Sequence, residues 1–478
     1  MVFSSILFLT VFLPLFLLGY FILPRRIAVK HFYFQAASFI FYAWGAPKFV
    51  FIVFFTTIID FYLVKKMDSY EDGRKRKLFL LFPVLMNVGL LCYFKYANFF
   101  MDNVDWLFGL VHINIAPMAR ILLPIGISFF TFESITYSVD VYRKVHAPLH
   151  KFWEYQMYII FFPKLIAGPI VRYHEIADQL QSHIKFDNFD NRIKGFIRFC
   201  IGLSKKVLIA NVAAQQADAV FATESSHLTT TIAWVGALAY TIQIYFDFSG
   251  YSDMAIGISK MLGFTLPENF NSPYTSKSIT EFWRRWHITL GNWMKNYLYI
   301  PLGGNRASKG RVLMNLFIVF LLSGLWHGAG WNFVLWGAYY GVFLVLERLT
   351  IRKKAPSGMV SYLGWIYTFV VVVVGWVFFR QRNVQDALLF TGKMFSFDFS
   401  HRYVFVYNAE FFFILIVALL FSFSTLNGTI NKYQERIFGG MLGKKEMLLY
   451  GILGMAAYYI CLISLSNGQF NPFIYFKF

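Results

Sequence analysis

Apolar runs separated by short basic or polar clusters repeat along the whole chain. They fall at 3–23, 31–45, 48–64, 78–97, 120–142, 193–221, 231–258, 311–327, 330–347, 361–379, 410–426 and 447–466. A helix needs about 17–25 apolar residues to cross the hydrocarbon core, so most of these runs are long enough to span. The run at 31–45 is short. The stretch 152–170 is broken by Pro163 and by Gly168-Pro169, so it is expected to re-enter rather than span, an arrangement tolerated only where protein surrounds it. The pattern predicts an all-α polytopic membrane protein with about 11–13 crossings or half-crossings. Residues 171–192 are polar and periodic, which suits an interfacial helix. Residues 380–409 read as a longer mixed loop.

Composition agrees. Of 478 residues, 58% are hydrophobic, 21% aromatic and 14% charged, where soluble domains carry about 25% charged residues. Mean hydropathy is +0.53. The net charge of +19, from 44 Lys+Arg against 25 Asp+Glu, would suggest nucleic acid in a soluble chain. Here the basic residues gather in short loops instead of forming a stripe, so a membrane surface explains them and nucleic acid is excluded as a partner. The three cysteines, Cys92, Cys200 and Cys461, lie far apart in apolar stretches, with no zinc spacing. The N-terminal run lacks a basic leader and a small-residue cleavage site, so it is expected to be a retained span.

Orientation follows from the same loops. Pro24-Arg-Arg-Ile-Ala-Val-Lys30 and the cluster from Lys65 to Lys77 are separated by two runs and so share a side. Arg143-Lys144, Asn305 to Arg311, and Arg348 to Lys354 can join them. The positive-inside rule makes that side cytoplasmic and the N-terminus extracytoplasmic. The 380–409 loop then lies outside.

Three features carry candidate chemistry. After Pro273, Ser278-Ile-Thr-Glu281 has capping-box spacing and predicts a helix start. Trp283, Trp286, Leu290, Trp293 and Tyr297 then recur at helical steps, with His287 bordering that face and Arg284 and Arg285 projecting elsewhere. One reading is an interfacial anchor, with tryptophans at headgroup depth. The other is a site for an anionic, partly aromatic ligand such as a nucleotide-bearing cofactor, because arginine forks match phosphate geometry.

His327 ends the apolar run from Val312 and opens the turn His327-Gly-Ala-Gly-Trp331. If Arg311 marks the cytoplasmic edge, a helix carries His327 about 24 Å along its axis, past the midplane of a core about 30 Å thick. An ionisable group there costs about 2.5–3.5 kcal/mol on insertion scales and marks a functional position. Histidine is also the usual general base. The alternative is a histidine hydrogen-bonding between helices. The third feature is Tyr245-Phe-Asp-Phe-Ser-Gly-Tyr-Ser-Asp253, read as helix with a break near Gly250. Asp247 and Asp253 lie about 240° apart round a helix and so form no single carboxylate pair. They are either snorkelling or arginine-paired carboxylates, or members of a proton relay.

Phe161-Phe-Pro-Lys-Leu-Ile-Ala-Gly-Pro-Ile170, Tyr245 to Asp253, Phe282-Trp-Arg-Arg-Trp-His-Ile-Thr-Leu290 and Ser323-Gly-Leu-Trp-His-Gly328 occur in that order. With these motifs the chain resembles the membrane-bound O-acyltransferases over essentially its whole length. It looks most like the bacterial branch of alginate O-acetyltransferase membrane subunits, peptidoglycan O-acetyltransferases and the teichoic-acid D-alanylation membrane protein. The opening Met1-Val-Phe-Ser-Ser and the closing Phe473-Ile-Tyr-Phe476 look like the alginate type.

The resemblance implies one transmembrane domain over 1–478, with core motifs within 120–350. Its fold would be a ring of tilted helices around a central channel. His327 matches the family's catalytic histidine and His287 its second signature position. The resemblance further implies an acyl thioester, acetyl-CoA or an acyl carrier, docking from the cytoplasm near Trp283, Arg284, Arg285 and Trp286, with Asp247 and Asp253 in support. No bound cofactor or metal is implied. His287 would bind or polarise the donor, and His327 would act as general base on a hydroxyl entering from outside. With no Ser-His-Asp hydrolase-like domain in the chain, the expected partner is an extracytoplasmic SGNH-type acetyltransferase or another polysaccharide-modifying enzyme, at a bacterial inner membrane. Two other readings rest on the intramembrane polar groups: a flippase for a lipid-linked glycan, and a non-catalytic assembly subunit. The glycan stays open among alginate, acetylated cellulose, peptidoglycan and other exopolysaccharides, as does D-alanyl transfer to teichoic acid.

Overall fold

The computed structural model describes residues 2–113, 119–350, 359–400, 409–423, 432, 436–440, 442–468 and 472–474. Among them the chain is helical, with a lone antiparallel bridge between Phe270 and Trp286 in place of any strand. Among the described residues, six helices are long and apolar enough to cross a membrane. The chain forms two compact units, one of Met1–Asn188 with Leu262–Leu266, the other of Phe189–Met261 with Pro267–Phe478.

The first unit holds α1 (Leu13–Ile22), α2 (Ile27–Gly45), α3 (Val50–Asp68), α4 (Gly73–Gly109), α5 (Ile127–Tyr142), α6 (Phe152–Ile160), α7 (Phe162–Leu165) and α8 (Tyr173–Ser182). The expected run at 78–97 is the middle of α4, which extends about 55 Å at helical rise. α5 begins later than its apolar run, because Gly126 adopts φ +80° and turns the chain at Ile127. The 152–170 stretch is broken as its sequence suggested, into α6 and α7, both too short to span. Its motif has an internal use: Lys164 forms an ion pair with Glu133, both fully buried. Nearby, Asn87 and Tyr155 donate to Asp60 at 3.0 and 3.2 Å. Buried charges are tolerated at such depth only when paired and hydrogen-bonded in this way. The 171–192 stretch contains α8, capped by Glu175, whose carboxylate accepts from Arg172 N at 2.9 Å. Gln179 on α8 holds the Thr265 backbone through both amide atoms, at 2.7 and 3.0 Å.

The second unit holds α9 (Phe189–Ser204), a π-helical turn Lys205–Ala210, α10 (Asn211–Phe221), α11 (Thr230–Met261), α12 (Ile279–Arg285), α13 (Ile288–Trp293), α14 (Lys309–His327), α15 (Trp331–Thr350), α16 (Met359–Arg380), α17 (Val384–Met394), α18 (Ala409–Ser422) and α19 (Lys444–Asn467). Two expectations are corrected here. The 380–409 stretch is not simply loop: it contains α17, capped where Asn383 accepts from Asp386 N at 2.8 Å, while 401–408 lie outside the described residues. α11 does not break at Gly250 but runs continuously for 32 residues. Gly250 has a packing role instead. A Cβ there would lie 2.7 Å from Gly202 O, and one at Gly202 would lie 2.5 Å from Gly250 O. Gly195 and Gly257 repeat the arrangement, with Cβ positions 2.5 and 2.6 Å from each other's carbonyl oxygens. α9 and α11 therefore cross with their backbones touching at two glycine pairs, the usual means of close helix approach in a bilayer.

This crossing makes a direct prediction. Gly250→Val and Gly257→Leu should destabilise the purified protein by about 1–3 kcal/mol, as overpacking does. Gly89→Ala in α4, with open space around it, should be neutral or gain up to about 1 kcal/mol. Thermal melts in detergent decide the matter, and equal melting of all three variants would remove the close-packed crossing.

Candidate functional site

His327 is placed by a tight helical hairpin. A Cβ on Gly324 would lie 2.3 Å from Phe333 O, and one on Gly337 would lie 2.5 Å from Phe320 O, so α14 and α15 touch through their backbones. The turn predicted at 327–331 is where the hairpin reverses. His327 is buried at its tip, edge-on to Trp336 at 5.1 Å and to Phe379 at 5.3 Å between ring centroids.

His287 arrives differently. Ser278 caps α12 as predicted, its hydroxyl accepting from Glu281 N at 3.0 Å. Glu347 on α15 completes that cap by accepting from Ile279 N at 2.6 Å, Thr280 N at 2.8 Å and Thr280 Oγ1 at 2.7 Å. A carboxylate at a helix N-terminus satisfies otherwise orphaned donors and complements the helix dipole. The continuous helix expected through Tyr297 is not formed. α12 stops at Arg285, and His287 takes the left-handed conformation, φ 46° and ψ 52°. The segment Asn269–Asn271 imposes the break: Asn271 N donates to Arg285 O at 2.9 Å, and Ile288 N to Asn269 O at 3.0 Å. A non-glycine residue held at positive φ stores strain of a kind that clusters at functional sites.

The break turns His287 inward. The residue is 1% exposed, and its ring lies edge-on to Phe248 at 4.7 Å and 6.4 Å from the His327 ring. The two histidine rings therefore lie side by side. Trp326 borders both, at 6.2 and 5.0 Å.

The other expected site residues divide. Trp286 is buried against Trp376 at 4.7 Å, and Trp283 packs on Tyr340 at 4.8 Å and Trp336 at 5.5 Å. Both belong to an aromatic wall that reaches His327 through Trp336. Arg284 is exposed, while Arg285 pairs with Glu281 at 2.9 Å. Asp253 accepts from Arg198 Nε at 2.7 Å and Lys205 at 2.6 Å, and Arg198 also grips Glu268 through two hydrogen bonds. Asp247 meets Lys206 at 2.9 Å and accepts from Ile474 N at 3.0 Å. Consecutive lysines of the π-helical turn thus serve the two aspartates separately, in keeping with their different helix faces. Sequence reasoning did not single out Asn269, Phe248, Trp336, Trp376, Phe379 or Glu347. Only Glu347, an acidic residue closing an apolar run, left a signal that could have been followed. Among the described residues no cluster of His, Cys, Asp or Glu is arranged to hold a metal ion.

A model of the membrane-bound O-acyltransferase family matches residues 47–384. The chain belongs to that family. This acyltransferase is 44% identical to the probable alginate O-acetylase of Pseudomonas aeruginosa, over 83% of its own length and 75% of the relative's. It is 38% identical to the peptidoglycan O-acetyltransferase of Helicobacter pylori, over 81% and 78%. It is 28% identical to the teichoic acid D-alanyltransferase of Bacillus subtilis, over 56% and 71%. It is a multi-pass membrane O-acyltransferase, and its histidine pair lies inside the matched region.

The aspartate pairs generate a test of their structural share. Lys206→Met removes the cation beside buried Asp247 and should cost about 3–5 kcal/mol. The double variant Lys206→Met/Asp247→Asn should recover most of that loss in a detergent thermal melt. Additive losses would show that the two side chains act independently.

Proposed function

We propose that this O-acyltransferase takes an acetyl group from a cytoplasmic thioester, acetyl-CoA or an acyl carrier, and delivers it across the membrane for O-acetylation of an extracytoplasmic polysaccharide. The observation that carries this reading is the meeting of His287 and His327 rings at 6.4 Å in a buried aromatic enclosure. His327 acts as general base on the acceptor hydroxyl. The hydroxyl oxygen attacks the thioester carbonyl, the C–O bond forms, the C–S bond breaks, and the proton finally rests on the departing thiol. The enclosure excludes water that would otherwise hydrolyse the thioester. His287 contacts the donor. Trp283, Arg284, Arg285 and Trp286 form the donor side, with Asp247 and Asp253 holding α11 beside it.

The basic loops support an extracytoplasmic N-terminus, and the bacterial relatives support a bacterial inner-membrane location. Among the relatives, the alginate O-acetylases at 40–44% identity favour an alginate-like exopolysaccharide over peptidoglycan at 38% and teichoic-acid D-alanylation at 28%. The final acceptor step falls to an extracytoplasmic SGNH-type acetyltransferase that receives the group from this enzyme.

Purified protein in liposomes should consume radiolabelled acetyl-CoA and pass label to a hydroxyl acceptor. His327→Ala should lower the rate by about 10²–10⁴-fold, the usual share of a general base, with normal protein abundance. Full acetylation by that variant would end the proposal. Glycan movement without thioester consumption would replace it with a flippase.

A further inference from the structure

Asn269 makes more contacts with the His287 turn than a spacer would need. Its backbone O accepts from Ile288 N at 3.0 Å. Its side-chain Oδ1 lies 3.1 Å from His287 Nδ1, 2.9 Å from Thr289 Oγ1 and 3.4 Å from Thr289 N. Its Nδ2 donates to Ser252 Oγ on α11 at 3.2 Å. Asn269, Ser252, His287 and Thr289 are all buried.

These contacts decide which way the amide faces. A backbone N–H can only donate, so an Asn269 turned end for end would set its NH₂ against Thr289 N–H, donor against donor. Oδ1 therefore faces the histidine. An amide oxygen only accepts, so His287 Nδ1 must carry a proton to make the bond. In a neutral imidazole, protonation at Nδ1 leaves Nε2 as the acceptor nitrogen.

We propose that Asn269 is a positioning residue that locks His287 in the Nδ1–H tautomer, so that His287 meets the thioester donor as a hydrogen-bond acceptor through Nε2. In this state it receives an N–H or O–H group of the thioester's arm and does not donate to the carbonyl oxygen. That settles between binding and polarising the donor in favour of binding. Hydrogen-bond donors for the developing oxyanion then have to come from elsewhere in the enclosure. The positive φ of His287 accompanies this contact, with Nδ1 3.1 Å from Asn269 Oδ1. The functional half of this inference rests on the acyltransfer reading above, but the tautomer does not.

The test is nitrogen NMR on the full-length protein labelled with [¹⁵N]histidine in lipid nanodiscs, with His287→Gln identifying the signal. Wild type should show a pyrrole-type shift for His287 Nδ1 and a pyridine-type shift for Nε2. Asn269→Asp, which still offers an acceptor oxygen, should keep that pattern and measurable transfer from acetyl-CoA. Asn269→Leu, of similar shape without the acceptor, should lose the tautomer and lower kcat/KM by about 10–100-fold, the usual effect of removing an orienting partner. A wild-type spectrum with the proton on Nε2 would overturn the inference whatever the variants do, while leaving acyl transfer untouched. Unchanged tautomer and activity in Asn269→Leu would overturn the positioning role. Full activity of His327→Ala would instead sink the acyltransfer reading and leave the tautomer standing.

Discussion

Ionisable and polar side chains buried where lipid surrounds the protein must find their partners inside the chain, and much of the structure follows from that constraint. Lys164 answers Glu133, Lys30 answers Asp187, and Lys205 and Lys206 answer Asp253 and Asp247. Each pair joins elements distant in sequence and fixes how they sit. Glu347 does the same through backbone donors, using the N–H groups at the start of α12. Because breaking any one such arrangement strands a buried polar group, these positions tolerate little rearrangement.

The histidine pair sits within that rigid framework. Backbone contact between α14 and α15 leaves no slack at the tip of the hairpin, where His327 lies. Glu347 ties the start of α12 to α15, and the Asn269 segment turns its end, so both arms carrying the histidines refer to one helix. The aromatic side chains between them, Trp283, Trp286, Trp336 and Trp376, fill the space with stiff groups that make few polar demands. A site built on helices in this way holds its geometry more closely than one built on loops.

Several features were legible locally. The N-cap at Ser278, the turn after His327 and the broken stretch at 152–170 each rest on interactions within a few residues, which spacing encodes. Others misled for the same reason. The tryptophan periodicity after Ser278 reads as one helix, yet the chain breaks at His287 because a segment some eighteen residues earlier competes for its backbone. Gly250 reads as a weak point in a helix, yet it is the place where α9 comes closest. Residues 380–409 read as loop because α17 is short and mixed in polarity.

By itself the sequence determined the class of protein, the apolar segments and the burial of an ionisable group at His327, since these depend on transfer of side chains from water to lipid and on local hydrogen bonding. The four motifs in order also pointed to the family. Tertiary structure decided that the rings of His287 and His327 meet, that Trp283 and Trp286 pack in an aromatic wall, and that Asn269 contacts the histidine beside it. Those outcomes depend on which helix faces meet and which distant donors and acceptors pair. Periodicity along one segment carries no record of its partner.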